Sequence, residues 1–541
     1  MTRRLPLSLV MLTVGVGLLV TAASARPVVS ATEARKGGTL RWSTGADVDH
    51  VDPALLGAVR SFPIALATCA MLFHYPDAPG AAGTRLAKEV ADQTTVSKDR
   101  RTYTFDLKQT FRFHTGAPVT AQSFADAFDR DANPKLGSPA VAYLHEIVGA
   151  DAAIDGKATS ISGIRVLGRY RLQIRLTRPV GDFTTRLTMP FFCPILPTTP
   201  TDEEMVTDPP GSGPYYVAER IVNQRIVLER NPFYRGDRPA RFDRIVWTIG
   251  GTLQECQRAV EEDRADWCGE LGAPRDAWRG LADKYGINRR GGQLFVSPLV
   301  GTWYYAFNYS RPAFRGPGQI ALKKAINFAI DRPALARPLG YLMGKRTDQM
   351  LPPPLGGPAS IYPLGGANLT AARRWYAKAR IKPITLVLYS WNTPPAVAQA
   401  SILAFELRQL GIDLDVKYFD VDTLFERARI PGEPFDIVLG GWVADYPDPW
   451  GFFGALLDPE TGPLALVVDP RVRRRMEAVN RLTGDARLRA WADLDVDLMR
   501  KDPPWAPFVH YNGRFFVSPS LGCFTPTPVF GMDITALCRR R

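Results

Sequence analysis

The sequence predicts an α/β protein built from several units, and three stretches carry that expectation. Residues 382–441 read as strand, helix, strand, helix, strand, and residues 244–266 repeat the strand-then-helix pattern. Between the N-terminus and these stretches, residues 102–107 (TYTFDL) and 169–176 (RYRLQIRL) alternate in the manner of antiparallel strands. A chain of 541 residues exceeds a single core, and at about 100–200 residues per unit roughly three units are expected.

Each element has a local reason. Residues 384–389 (ITLVLY) form a short β-rich run, and 396–410 carry Leu403, Leu407 and Leu410 on one helical face. Gly411 stands where a helix C-terminus favours a residue without a side chain. Ile412, Leu414 and Val416 alternate with Asp413, Asp415 and Lys417 as in a half-buried strand, residues 421–428 suit a second helix, and 435–439 (FDIVL) a buried strand. The order β-α-β-α-β is that of an open parallel sheet with helices on both faces. Upstream, 245–249 (IVWTI) is strand-like, and the helix expected over 253–262 places Cys256, Ala259 and Val260 on one side.

Ligands of open α/β sheets collect beyond the carboxyl ends of the strands. There the chain reads GGWVADYPDPW, 440–450, which sets Asp445 among Trp442, Tyr446 and Trp450. Asp445 and Asp448 also invite comparison with paired glycosidase carboxylates, but two acids flanking Pro447 more commonly cap a turn. Other enzymatic devices are missing: there is no G-x-S-x-G elbow, His145-Glu146 lacks the second zincin histidine, and no strand leads into Gly316-Pro317-Gly318.

Composition is that of a globular protein, with 45% hydrophobic and 22% charged residues. Basic Thr2-Arg3-Arg4 precedes an apolar run over 5–20 and the small-residue site Ala23-Ser24-Ala25, the order of a cleavable export signal (1–25) followed by a tail over 26–36. Pro6 and two glycines argue against the alternative, a retained membrane anchor. The first cysteine is Cys69, so a lipid anchor near the cleavage site has no attachment point. Export would let the six cysteines pair; the local pairs Cys523 with Cys538 and Cys256 with Cys268 are favoured, with free thiols as the alternative. No CxxC occurs and the five histidines are scattered, so no metal or cofactor is expected. The net charge of +13 could suggest nucleic acid, but 471–475 and 539–541 are too short for a basic stripe.

Motifs in sequence order then identify a relationship. GGTLRW (37–42) with VDPAL (51–55), YTFDLKQTFRFHTGAPVTAQSFADAF (103–128), GSGPY (211–215), VLERNPFYRG (227–236), YYAFNYSRPAF (304–314), ALKKAINFAIDRPAL (321–335) and FDIVLGGWVADYPDPW (435–450) together resemble the extracytoplasmic solute-binding proteins of peptide-type ABC importers, family 5. The resemblance implies a two-lobed periplasmic-binding-protein-like fold of type II. Lobe one would join 37–73, 190–295 and 501–541, with a mixed α+β domain inserted at 74–189, and lobe two would span 296–500. It implies a non-enzymatic, monomeric receptor at the extracytoplasmic face that hands a peptide or similar cationic solute to membrane permease subunits and their ATPases; receptors for sugars or metal chelates are the alternative, and a secreted hydrolase is the alternative from another class. Asp445 would hold the ligand's ammonium. Trp442, Tyr446, Trp303, Tyr305, Trp391 and Asn392 would form walls, Gly440 and Gly441 would offer backbone groups, and Gly57 and Val59 would face them from lobe one.

Overall fold

The computed structural model describes residues 35–540 except 58, 202–205, 270–271, 358, 458–469 and 530. The export signal expected at 1–25 lies outside the described residues. No helix among the described residues is long and apolar enough to cross a membrane.

The chain forms a two-lobed α/β structure around several hydrophobic cores. In the first lobe, strand Thr39–Thr44 runs parallel to Arg244–Ile249, followed by antiparallel Arg225–Arg230 and Tyr215–Ile221. Trp42 stacks on Trp247 with ring centroids 4.0 Å apart, so the GGTLRW motif supplies the centre of this core. Beside it stands an antiparallel sheet in the order Ala91–Val96, Thr102–Leu107, Arg171–Arg175, Ile164–Gly168. Helix Ala121–Ala132, capped by the Thr120 hydroxyl, buries Phe124 and Phe128 against it.

The second lobe is built on six strands in the order Gly344–Arg346, Trp505–Phe516, Leu294–Phe307, Ile437–Val443, Ile384–Trp391, Ile412–Phe419. Helices Pro394–Arg408 and Val421–Ala428 connect its last three strands, which are parallel. Leu403 and Leu407 are fully buried as the periodicity requires, and Gly411 adopts φ +79°. The sheet is mixed rather than parallel throughout: Leu294–Phe307 lies antiparallel between Ile437–Val443 and Trp505–Phe516. These two long strands pair with each other and leave one core for the other. Phe295 and Phe515 pack with Trp42, whereas Trp303 to Phe307 and Trp505 to Val509 pack in the second lobe. Their register shifts between Pro298 and Thr302, where the strands pass between the cores.

Buried ions explain several motifs. Asp52 of VDPAL accepts two hydrogen bonds from Arg130, at 2.9 and 2.6 Å, pinning the inserted helix to the first lobe. Arg332 is fully buried and donates to the carbonyls of Thr347, Pro507, Asn327 and Pro363 and to the Asn327 side chain. No carboxylate among the described residues bonds it directly; burial, only partly offset by the near-by acids Asp348 and Glu406, holds its guanidinium below its ordinary pKa, to about 10. The structure joins Cys256 to Cys268 and Cys523 to Cys538, and a third disulfide joins Cys69 to Cys193, 124 residues apart. That bond closes the base of the inserted domain, a proximity that spacing along the chain cannot reveal.

Candidate functional site

A cavity of about 560 Å³ opens where the second lobe meets the first lobe and its inserted domain. Its walls come from five separate segments: Leu56, Gly57, Val59 and Phe62; Pro139 to Glu146; Arg186 to Phe191; the helix around Phe425; and the strand end, turn and helix from Trp442 to Ala455.

The second-lobe wall begins where strand Ile437–Val443 ends and helix Trp450–Leu457 has not yet started. Asp448 organises this turn. It accepts from the Trp450 amide at 2.8 Å and takes both Arg487 amino groups, at 2.6 and 2.7 Å. Trp442 is held by its indole N–H, which donates to the Gly451 carbonyl at 2.7 Å. Tyr446 is buried and donates to Asp182 at 2.7 Å, across the cleft. With its neighbours so fixed, Asp445 is left lining the cavity.

Asp445 accepts a 2.8 Å hydrogen bond from the Tyr143 hydroxyl on the opposite wall. Burial raises its carboxyl above the ordinary carboxylate range, and the Tyr143 bond offsets only part of that rise. No cation among the described residues pairs with it. The other buried acids here are compensated. Burial pushes Glu146 up, but Arg186 at 2.7 Å and Arg178 at 2.9 Å outweigh it and leave its pKa lowered. Asp182 follows the same pattern, with Arg186 at 2.8 Å and Arg487 near by.

Of the residues singled out from the sequence, Gly57, Val59, Trp442, Asp445 and Tyr446 line this cavity. The structure does not bring Trp303, Tyr305, Trp391, Asn392, Gly440 or Gly441 into it. Trp303 packs edge-on against Trp391 at 5.0 Å and Tyr305 is buried beside Phe508, so these rings belong to the core under the cleft. Asn392 is exposed, with its amide bonded to the Phe419 carbonyl. The two glycines admit rings: a Cβ on Gly440 would lie 2.5 Å from the Tyr304 ring, and one on Gly441 2.6 Å from the Tyr511 hydroxyl. Both would demand displacement of packed aromatics.

Tyr143, Glu146, Arg186 and the helix Val421–Ala428 also contribute to the cavity and were not singled out from sequence. For the helix a signal existed, since 422, 425, 426 and 429 recur at i, i+3, i+4 and i+7 opposite buried Leu424 and Ala428. For the others the neighbourhood is created only by folding.

Similarity to known proteins agrees with this architecture. Residues 85–463 match the family described as bacterial extracellular solute-binding proteins, family 5 Middle. The chain is 24% identical over 449 residues to the periplasmic oligopeptide-binding protein OppA of Escherichia coli (strain K12), covering 79% of this chain and 80% of that one. It is 25% identical over 436 residues to the periplasmic murein peptide-binding protein MppA of the same organism, covering 77% and 79%. Among solved structures, clavulanic acid biosynthesis oligopeptide binding protein 2 superposes with a TM-score of 0.85 at 25% identity, over 94% of this chain and 96% of that chain. The unliganded open form of MppA superposes with a TM-score of 0.74 at 22% identity, over 94% and 98%. The matched span, its motifs and the shared two-lobed fold lead to one assignment: the chain belongs to the bacterial extracellular solute-binding proteins of family 5.

Proposed function

We propose that the protein is the exported, non-enzymatic receptor of an ABC importer and that it captures a peptide by its free amino terminus. The observation that carries this reading is Asp445, a largely buried carboxylate lining the cavity between the lobes, whose side-chain partner among the described residues is a neutral phenol. A peptide ammonium would restore the missing charge. A charge-assisted hydrogen bond shielded from water contributes about 1.5–3 kcal/mol, whereas an exposed ion pair contributes almost nothing. Enclosure between lobes is therefore what makes the acid useful.

Lobe one would comprise 37–73, 190–295 and 501–541 with 74–189 inserted, lobe two 296–500, and the lobes would swing about the two long paired strands. The curated relatives named above are peptide-binding proteins, and the receptor would meet its permease and ATPase partners at the membrane as a monomer. Glycoside hydrolysis is disfavoured because Asp448 is committed to Arg487 and cannot act as a second free carboxylate.

The test is calorimetry with a tripeptide and its N-acetylated form. Asp445→Asn is expected to weaken binding of the free-amine peptide about tenfold or more, about 1.4 kcal/mol, and acetylation is expected to weaken wild-type binding similarly. Equal affinity for both forms in the wild-type protein would overturn the role of Asp445.

A further inference from the structure

The cavity wall formed by helix Val421–Ala428 carries a charge pattern that the ammonium site does not use. Asp422 and Glu426 sit one turn apart on the face that lines the cavity, with Phe425 between them and Arg429 one turn beyond. Neither acid is paired with a cation among the described residues, and Asp422, Glu426 and Arg429 are exposed. One guanidinium can compensate one carboxylate, so this wall retains a surplus negative charge. Across the whole cavity the charged lining residues are Glu146, Asp422, Glu426, Asp445, Arg186 and Arg429, a net of −2 in a chain whose net charge is +13. An acidic cavity in a basic protein is a local feature, and the Glu146–Arg186 pair cancels internally, which places the surplus on Asp445 and on the helix.

The same wall is aromatic as well as acidic. Phe425 and Trp442 both line the cavity, and the face of an aromatic ring attracts a cation that a neighbouring carboxylate can also hydrogen-bond. Asp445 is matched to one ammonium. Asp422 and Glu426, set on a different element beside the Phe425 ring, are matched to a second positive group.

Resting on the peptide reading above, we infer that the protein selects peptides carrying a basic side chain, lysine or arginine, whose cation is received by Asp422, Glu426 and Phe425. A neutral side chain would leave the surplus charge unanswered, and an acidic one would be repelled.

The experiment is titration calorimetry of the full-length mature protein with Ala-Ala-Ala, with Ala-Glu-Ala, and with three tripeptides that place one lysine at each position in turn. At least one lysine peptide is expected to bind about three times more tightly than Ala-Ala-Ala or better, the scale of ion pairs to exposed acids, and Ala-Glu-Ala more weakly than Ala-Ala-Ala. In the Asp422→Asn/Glu426→Gln double variant, the ratio between that lysine peptide and Ala-Ala-Ala is expected to collapse to about one; circular dichroism of the variant confirms that it is folded. Equal binding of neutral and lysine peptides would overturn the selectivity while leaving the peptide receptor intact, as would a ratio that survives in the double variant. Failure of every tripeptide to bind would overturn both readings.

Discussion

Asp445 would give the proposed site its pH dependence. Burial raises its carboxyl, and a bound ammonium would favour the ionised form, so binding selects the deprotonated acid. Affinity for an amine-bearing peptide is therefore expected to be constant near neutral pH and to fall as pH drops through the raised value, approaching tenfold per unit; the fall should begin above the ordinary carboxylate range. For the empty protein the sign is opposite. A carboxyl raised in the fold contributes stability while it is neutral and loses it as pH rises through the folded value. Titrations across pH on the wild type and Asp445→Asn check this, because the variant should lose the dependence. At this scale the sequence displayed Asp445, Trp442 and Tyr446 together, since one loop carries all three. It could not display Tyr143, which lies 302 residues away and meets Asp445 only through folding.

Among elements, the turn between strand Ile437–Val443 and helix Trp450–Leu457 depends on a single buried ion pair. Asp448 and Arg487 are both nearly inaccessible, and Arg487 also donates to Asn480 at 2.6 Å. Removing Asp448 takes away the carboxylate bonded directly to buried Arg487 and leaves Asp182 as the near-by acid, a loss of up to about 3–5 kcal/mol. Asp448→Asn is expected to lower stability to urea by that order. It should also weaken ligand binding, because Asp445 and Trp442 lose the turn that positions them. Denaturant titration reads the first effect and calorimetry the second. Helix and strand positions here were legible because Leu403, Leu407 and the Ile412–Val416 alternation have clean periods. The direction of Leu294–Phe307 was not, since an apolar strand buried on both faces reads the same whether its neighbours run parallel or antiparallel.

For the molecule as a whole, the described conformation is closed by contacts that cross the cleft: Tyr143 with Asp445, and Asp182 with Tyr446 and, at 3.4 Å, with Asn480. They bear on the same loop that would hold the ligand, so loop and closure are coupled. Tyr446→Phe keeps the buried ring but removes its bond to Asp182. We expect the ligand-free variant to shift toward an open form, seen as a larger radius of gyration in small-angle scattering, and peptide to restore the compact value.

The sequence by itself determined the α/β class, the two local cysteine pairs as candidates, and the loop on which Asp445 stands, because period, spacing and loop composition are properties of neighbouring residues. The tertiary structure alone decided that Cys69 meets Cys193, that Trp303, Tyr305 and Trp391 fill a core and not a wall, and that Asp422 and Glu426 face a cavity. Such facts depend on which surfaces are pressed together after hundreds of intervening residues, and the free energy that selects them comes from burial shared across segments, not from any one segment's own preference.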